Sequence, residues 1–182
     1  MDDKFLVIID AALDNKTGEL LKSVLRENVQ FVHSTEAWEV LALLPGIQFQ
    51  AVAILSHGPD IPAWLYQERM VGAVNQVLCP GGQLDILSCN VHPADLRLQV
   101  LHQAYAGHNV NASSNITGID GDWLLEYHTL DDGNVALYSD TDKRNMSDLY
   151  FRTGVRELRL NLWGFLKNIV NIDRFFDSGV KA

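Results

Sequence analysis

His57 and Cys89 are the two side chains whose chemistry would matter most if they met. Each closes a short apolar run, Val52-Ala53-Ile54-Leu55-Ser56 before His57-Gly58 and Leu84-Asp85-Ile86-Leu87-Ser88 before Cys89-Asn90. A thiolate is the attacking form of cysteine. A nearby imidazole favours that anion and can return the proton to a leaving amine. Pro93 suits the first turn of a following helix, whose amino end would favour the same anion. Taken singly, Cys89 reads as a small buried hydrophobe and His57 as a satisfied strand-end residue. The pair, in matched settings, predicts a cysteine nucleophile with a histidine partner.

Residues at strand ends meet only if their strands are neighbours, and the pattern of the chain predicts a sheet whose strands share one edge. Apolar runs read as strands at Phe5 to Ile9, Val29 to His33, Ala51 to Ser56, Leu84 to Ser88 and Asn109 to Ala112. Helical spacing between them predicts helices over Thr17 to Arg26, from Ser34 or Thr35 to Leu44, over Leu65 to Leu78, and from Pro93 to Tyr105. Cys79-Pro80-Gly81-Gly82 reads as the break that ends the third of these helices. This alternation predicts an α/β fold, a mainly parallel sheet with helices on both faces. Ligands of such sheets sit beyond the carboxyl ends of the strands, the edge shared by His57, Cys89 and Asp10. The turn-like Asp120-Gly121-Asp122 and Asp131-Asp132-Gly133 predict a hairpin added to the sheet edge. Residues 1–144 read as the α/β domain. Residues 145–182 read as a helical extension rich in bulky apolar side chains, packed on that domain or used for homo-oligomer formation.

Composition narrows the function. The chain has 182 residues, 47% hydrophobic and 20% charged, enough for a real core in one domain. A formal net charge of −9 argues against nucleic acid, since phosphates would find little to neutralise them. No stretch is long and apolar enough to span a bilayer. The N-terminus, Met1-Asp2-Asp3-Lys4, does not read as a signal peptide, so the cytoplasm is the expected compartment. Two cysteines are too few for a disulfide scaffold, and a reducing compartment would keep Cys89 a free thiol.

Further segments carry a resemblance. Ile54-Leu55-Ser56-His57-Gly58, Asp85-Ile86-Leu87-Ser88-Cys89-Asn90-Val91, Ala112-Ser113-Ser114-Asn115-Ile116-Thr117-Gly118 and Gly121-Asp122-Trp123-Leu124-Leu125-Glu126 occur in that order. Together they resemble the bacterial domain of unknown function numbered 4347, itself similar to the caspase-like (clan CD) cysteine peptidases. The resemblance covers roughly residues 5–130. It implies a caspase-like fold and a cysteine endopeptidase with a His57–Cys89 dyad. It also implies an oxyanion site formed by the backbone N–H groups of Gly58 and Cys89. That domain usually carries glycine before its cysteine, where this chain has Ser88. Its glycine-rich loop after His-Gly is here Pro59-Asp60-Ile61-Pro62.

The resemblance also gives Asp10 a role, because the end of the first strand contributes to the pocket for the residue preceding the cut. An acid there would favour Lys or Arg in a peptide or protein substrate. An Asp capping the first turn explains the same residue equally well. Ser113 and Ser114 read as lining the same cleft or as turn residues. Asp120 and Asp122 read as turn formers rather than calcium ligands. The remaining histidines show no metal-ligand spacing with cysteine, and no metal or cofactor is expected. Cys79 reads as structural and Trp123 as a core anchor. Two alternatives share the fold: a catalytically inactive binding or scaffold protein, and a cysteine hydrolase or acyltransferase acting on a non-peptide substrate.

Overall fold

Five apolar runs of this chain lie side by side as strands with their ends aligned. The computed structural model describes residues 4–13, 19, 22–23, 25–44, 46–56, 61–88, 91, 96–113, 124–145 and 149–151. The strands are β1 (Phe5–Ile9), β2 (Val29–His33), β3 (Phe49–Leu55), β4 (Leu78–Leu87) and β5 (Asn109–Ala112), all parallel. Two antiparallel strands, β7 (Tyr127–Thr129) and β8 (Val135–Leu137), extend the sheet beyond β5. The order is β2-β1-β3-β4-β5-β7-β8, an α/β fold with a mainly parallel sheet and an edge hairpin. A separate pair, β6 (Leu124–Leu125) and β9 (Arg144–Asn145), forms a two-stranded ribbon.

Among the described residues three helices with defined bounds connect the strands: α1 (Ala37–Ala42), α2 (Glu68–Val77) and α3 (Leu96–Ala104), with a 3-10 turn at Ala63–Tyr66 before α2. Their apolar residues pack on one face of the sheet. Leu41, Val74 and Leu101 meet Leu6, Ile8, Ile54 and Ile86 in one buried cluster. Strand residues of the opposite parity, among them Val7, Ile9, Ala53, Leu55 and Leu87, form a second cluster with Leu13, Leu25, Leu125, Tyr150 and Phe151. Crossover handedness accounts for the division. The steps β2 to β3, β3 to β4 and β4 to β5 run in one direction across the sheet, whereas β1 to β2 runs the other way. Right-handed connections therefore place the last on the opposite face. The ends of that connection, Leu13 and Leu25, do lie in the second cluster, and Glu19, Lys22 and Ser23 within it are helical. With both faces covered, all five residues of β1 are buried.

The Cys79-Pro80-Gly81-Gly82 break behaves differently from its expectation. It follows the end of α2, but β4 begins there, at Leu78, and absorbs it as a bulge. Phe49 pairs with Leu78 and Ala51 with Gln83, so two steps on β3 face five on β4. Gly81 takes a left-handed φ of +76°, and a Cβ on Gly82 would lie 2.8 Å from the Cys79 carbonyl oxygen. β3 likewise starts at Phe49, two residues before its expected beginning. Of the helical extension expected over 145–182, Asn145 instead closes β9, and Tyr150 and Phe151 pack into the second cluster; 146–148 and 152–182, like Trp123, Asp120 and Asp122, lie outside the described residues. No helix among the described residues is long and apolar enough to cross a membrane.

Candidate functional site

Every one of the five parallel strands is followed by a small polar residue: Asp10, Ser34, Ser56, Ser88 and Ser113 in chain order. Apolar β-strands end where the chain must turn, and short side chains that bond backbone groups serve that turn. All four serines are buried. The backbone ladder runs just past the strands. Asp10 N–H donates to the Leu55 carbonyl at 2.8 Å, Ser34 N–H to that of Ile9 at 2.8 Å, and Ser56 N–H to that of Leu87 at 3.3 Å.

Leu55 and Leu87 are register partners, so Ser56 and Ser88 leave their strands at one level. Their hydroxyl oxygens are 2.5 Å apart. The Ser88 hydroxyl also donates to the Ser56 carbonyl at 3.4 Å. His57 and Cys89 are each the next residue in sequence. They, Gly58 and Ser114 lie outside the described residues.

Asp10 is half-buried at the same edge, where its Oδ1 accepts the Ala12 N–H at 3.1 Å and its carbonyl accepts the Leu13 N–H at 2.9 Å. The Ala11 N–H donates to Ser34 Oγ at 2.9 Å. These bonds make Asp10 the organiser of a tight turn. Ser113 is fully buried, one residue past Ala112, the register partner of Ile86.

A second polar group, behind the sheet, has no counterpart among the sequence-derived candidates. The fully buried Asp85 carboxylate accepts Arg144 Nε at 2.8 Å and Arg144 Nη2 at 2.9 Å. It also accepts the Tyr150 hydroxyl at 2.6 Å and Asn111 Nδ2 at 2.7 Å. Asn111 in turn bonds Gln83 Oε1 at 2.9 Å and accepts the Tyr138 hydroxyl at 2.6 Å. Burial alone would lower the Arg144 guanidinium, but the adjacent Asp85 carboxylate overrides this and holds it above its ordinary range. Burial and the same carboxylate push the Tyr150 phenol well up. The signal was an acid inside the apolar run Leu84-Asp85-Ile86, which requires a buried partner.

Among the described residues the other histidines bond or stack within the fold. His102 Nδ1 lies 3.0 Å from the His108 carbonyl and 3.2 Å from Thr129 Oγ1. His108 Nδ1 lies 3.0 Å from the Gly82 carbonyl. His128 stacks on Tyr138 at 4.1 Å between ring centres, and burial lowers its pKa. Cys79 is half-buried and donates its thiol to Gln50 Oε1 at 3.4 Å. Among the described residues no three His, Cys, Asp or Glu side chains converge as metal ligands would.

Two open clefts lie away from the serine edge. One, of about 430 Å³, is bounded by Asn109, His128 and Leu130 to Asp132; the other, of about 380 Å³, by Gln83, Tyr138, Asp142, Arg144, Asn145 and Leu149. Both sit toward the amino ends of β4 and β5. The parallel-sheet rule favours the opposite edge for ligands, because there the loops converge and the strand order reverses, between β1 and β3.

No protein-family model matches this chain, and no curated protein does. Among solved structures the chain is similar to a crystal structure of a small-chain dehydrogenase. The two are 10% identical with a TM-score of 0.30, over 58% of this chain and 71% of the other.

Proposed function

We propose that this chain is a cysteine endopeptidase in which Cys89 is the nucleophile and His57 its acid–base partner. The observation that supports this reading most is the contact between Ser56 and Ser88, each one peptide step before a candidate residue. His57 and Cys89 each follow one of these two touching serines in sequence.

In the proposed reaction the Cys89 thiolate attacks the scissile carbonyl carbon, and the carbonyl π electrons move onto oxygen. The backbone N–H groups of Gly58 and Cys89 hold that oxyanion. The C–N bond then breaks, the amine leaves with a proton from the His57 imidazolium, and a thioester remains. His57 next takes a proton from water, whose oxygen displaces the thiolate to give the carboxylic acid. Asp10, at the same edge in a chain of net charge −9, would favour a basic residue before the cut. A reducing compartment would keep the thiol available.

Iodoacetamide labelling followed by peptide mapping tests the nucleophile. Cys89 is expected to react at least tenfold faster than Cys79 near neutral pH, and His57→Ala to remove that advantage. Cleavage of a mixed peptide library is expected to vanish in Cys89→Ala and persist in Cys79→Ala. Equal labelling of the two cysteines, or cleavage that survives Cys89→Ala, would sink the proposal.

A further inference from the structure

The cleft of about 380 Å³ at the amino ends of β4 and β5 is lined by side chains that the buried polar network holds in place. Gln83 Oε1 accepts Asn111 Nδ2 at 2.9 Å. The Tyr138 hydroxyl donates to Asn111 Oδ1 at 2.6 Å, and its ring stacks on His128. Asp85 grips Arg144 through Nε and Nη2. At the rim, Asp142 accepts the Ser139 hydroxyl on Oδ2 and that of Thr141 on Oδ1 at 3.4 Å. Asn111 and Asp85 are fully buried, so the supports lie out of water. Burying such groups costs desolvation that an apolar filling would avoid. The network instead fixes polar groups around one opening, as the supporting layer of a binding site does.

The chemistry left on these groups selects a ligand. Asp85 takes Nε and Nη2 of Arg144, and Asn111 takes Oε1 of Gln83. Arg144 Nη1 and Gln83 Nε2 stand beyond those contacts, and both only donate, so they suit an acceptor oxygen. The Arg144 charge is already matched by Asp85, which favours a neutral carbonyl over a carboxylate. The Asp142 carboxylate has only hydroxyl partners among the described residues, so its negative charge at the rim is uncompensated and suits a cation. Leu149 adds an apolar wall. We propose that this cleft binds the amino terminus of a peptide, with the α-ammonium on Asp142, the first carbonyl on Gln83 and Arg144, and an apolar first side chain against Leu149. The inference is independent of the endopeptidase reading, which concerns the carboxyl ends of the strands.

The test titrates the full chain with L-leucinamide, which carries the ammonium, the neutral carbonyl and the apolar side chain, and follows backbone amide NMR shifts. The probe is expected to bind with a Kd of about 1 mM, the scale of a small ligand in an open cleft, and to shift the Tyr138 and Arg144 amides. N-acetyl-L-leucinamide lacks the ammonium, isopentylamine lacks the carbonyl, and L-leucine puts a carboxylate in its place. Each should bind about tenfold more weakly, or weaker still. Asp142 is exposed, so Asp142→Asn leaves the fold intact and should weaken leucinamide about tenfold. Asp131→Asn removes the same charge beside the other cleft and should leave the affinity unchanged. Equal losses in the two aspartate variants would reduce the effect to overall charge and overturn the site. So would L-leucine or isopentylamine binding as tightly as leucinamide, or the absence of a saturable shift at Tyr138 and Arg144.

Discussion

Asp85 is a carboxylate with no exposure in the middle of an apolar strand, and it is tolerated there because four donors surround it. Breaking one half of a buried ion pair strands the other charge, and such losses run to about 3–5 kcal/mol. Asp85→Ala is therefore expected to lower unfolding stability in urea by about that amount, with Arg144 left uncompensated. Joint replacement by Asp85→Leu and Arg144→Met should recover only part of the loss, since it removes both charges but leaves the Tyr150 hydroxyl and Asn111 Nδ2 without that acceptor. A single variant within 1 kcal/mol of wild type would show the network to be dispensable. The acid was legible in sequence, but its partner was not. Arg144 stands 59 residues further on, and nothing local links the two.

Elements were legible where period and turn chemistry agreed. β1, β2 and β5 have the bounds expected of them, because each is a short stretch between polar turns, wholly apolar in β1 and mixed apolar and polar in β2 and β5. The hairpin also matches its signal. Gly133 holds φ +80°, Leu130 N–H reaches the Asn134 carbonyl at 2.7 Å, and Asp132 Oδ1 accepts the Asn134 N–H at 2.9 Å. A Cβ on Gly133 would meet His102 Cδ2 at 3.2 Å in a left-handed conformation. Gly133→Ala is expected to cost about 1–2 kcal/mol, read as a lowered thermal midpoint. An unchanged midpoint would mean that the turn relaxes freely. The start of β4 was missed because Pro80, Gly81 and Gly82 are local breakers. Here pairing with β3 overrides local preference.

At the scale of the whole molecule, burial raises Tyr105, Tyr138 and Tyr150 above their ordinary value of 10.0. A raised folded-state value makes deprotonation easier in the unfolded chain. The stability these phenols contribute is fully present below pH 10.0 and is lost as pH rises beyond it through the raised values. The urea midpoint is expected to hold from pH 8 to about 9.5 and fall above 10, more shallowly in Tyr150→Phe. A fall of equal steepness in that variant would exclude Tyr150 as a cause. Tyr150 and Phe151 also fasten their segment across the second face, where Arg26 N–H donates to the Tyr150 carbonyl at 3.0 Å and Arg26 Nε to that of Phe151 at 2.9 Å. The fold class and most strand positions were legible in the sequence, since these follow from local period and side-chain type. Only the tertiary structure decided that β3 and β4 are neighbours with Leu55 opposite Leu87, that Ser56 clasps Ser88, and that Asp85 finds Arg144. Those are pairings between distant segments. They are chosen by which arrangement buries both faces of the sheet and leaves no buried charge alone, a property of the whole chain that no local window contains.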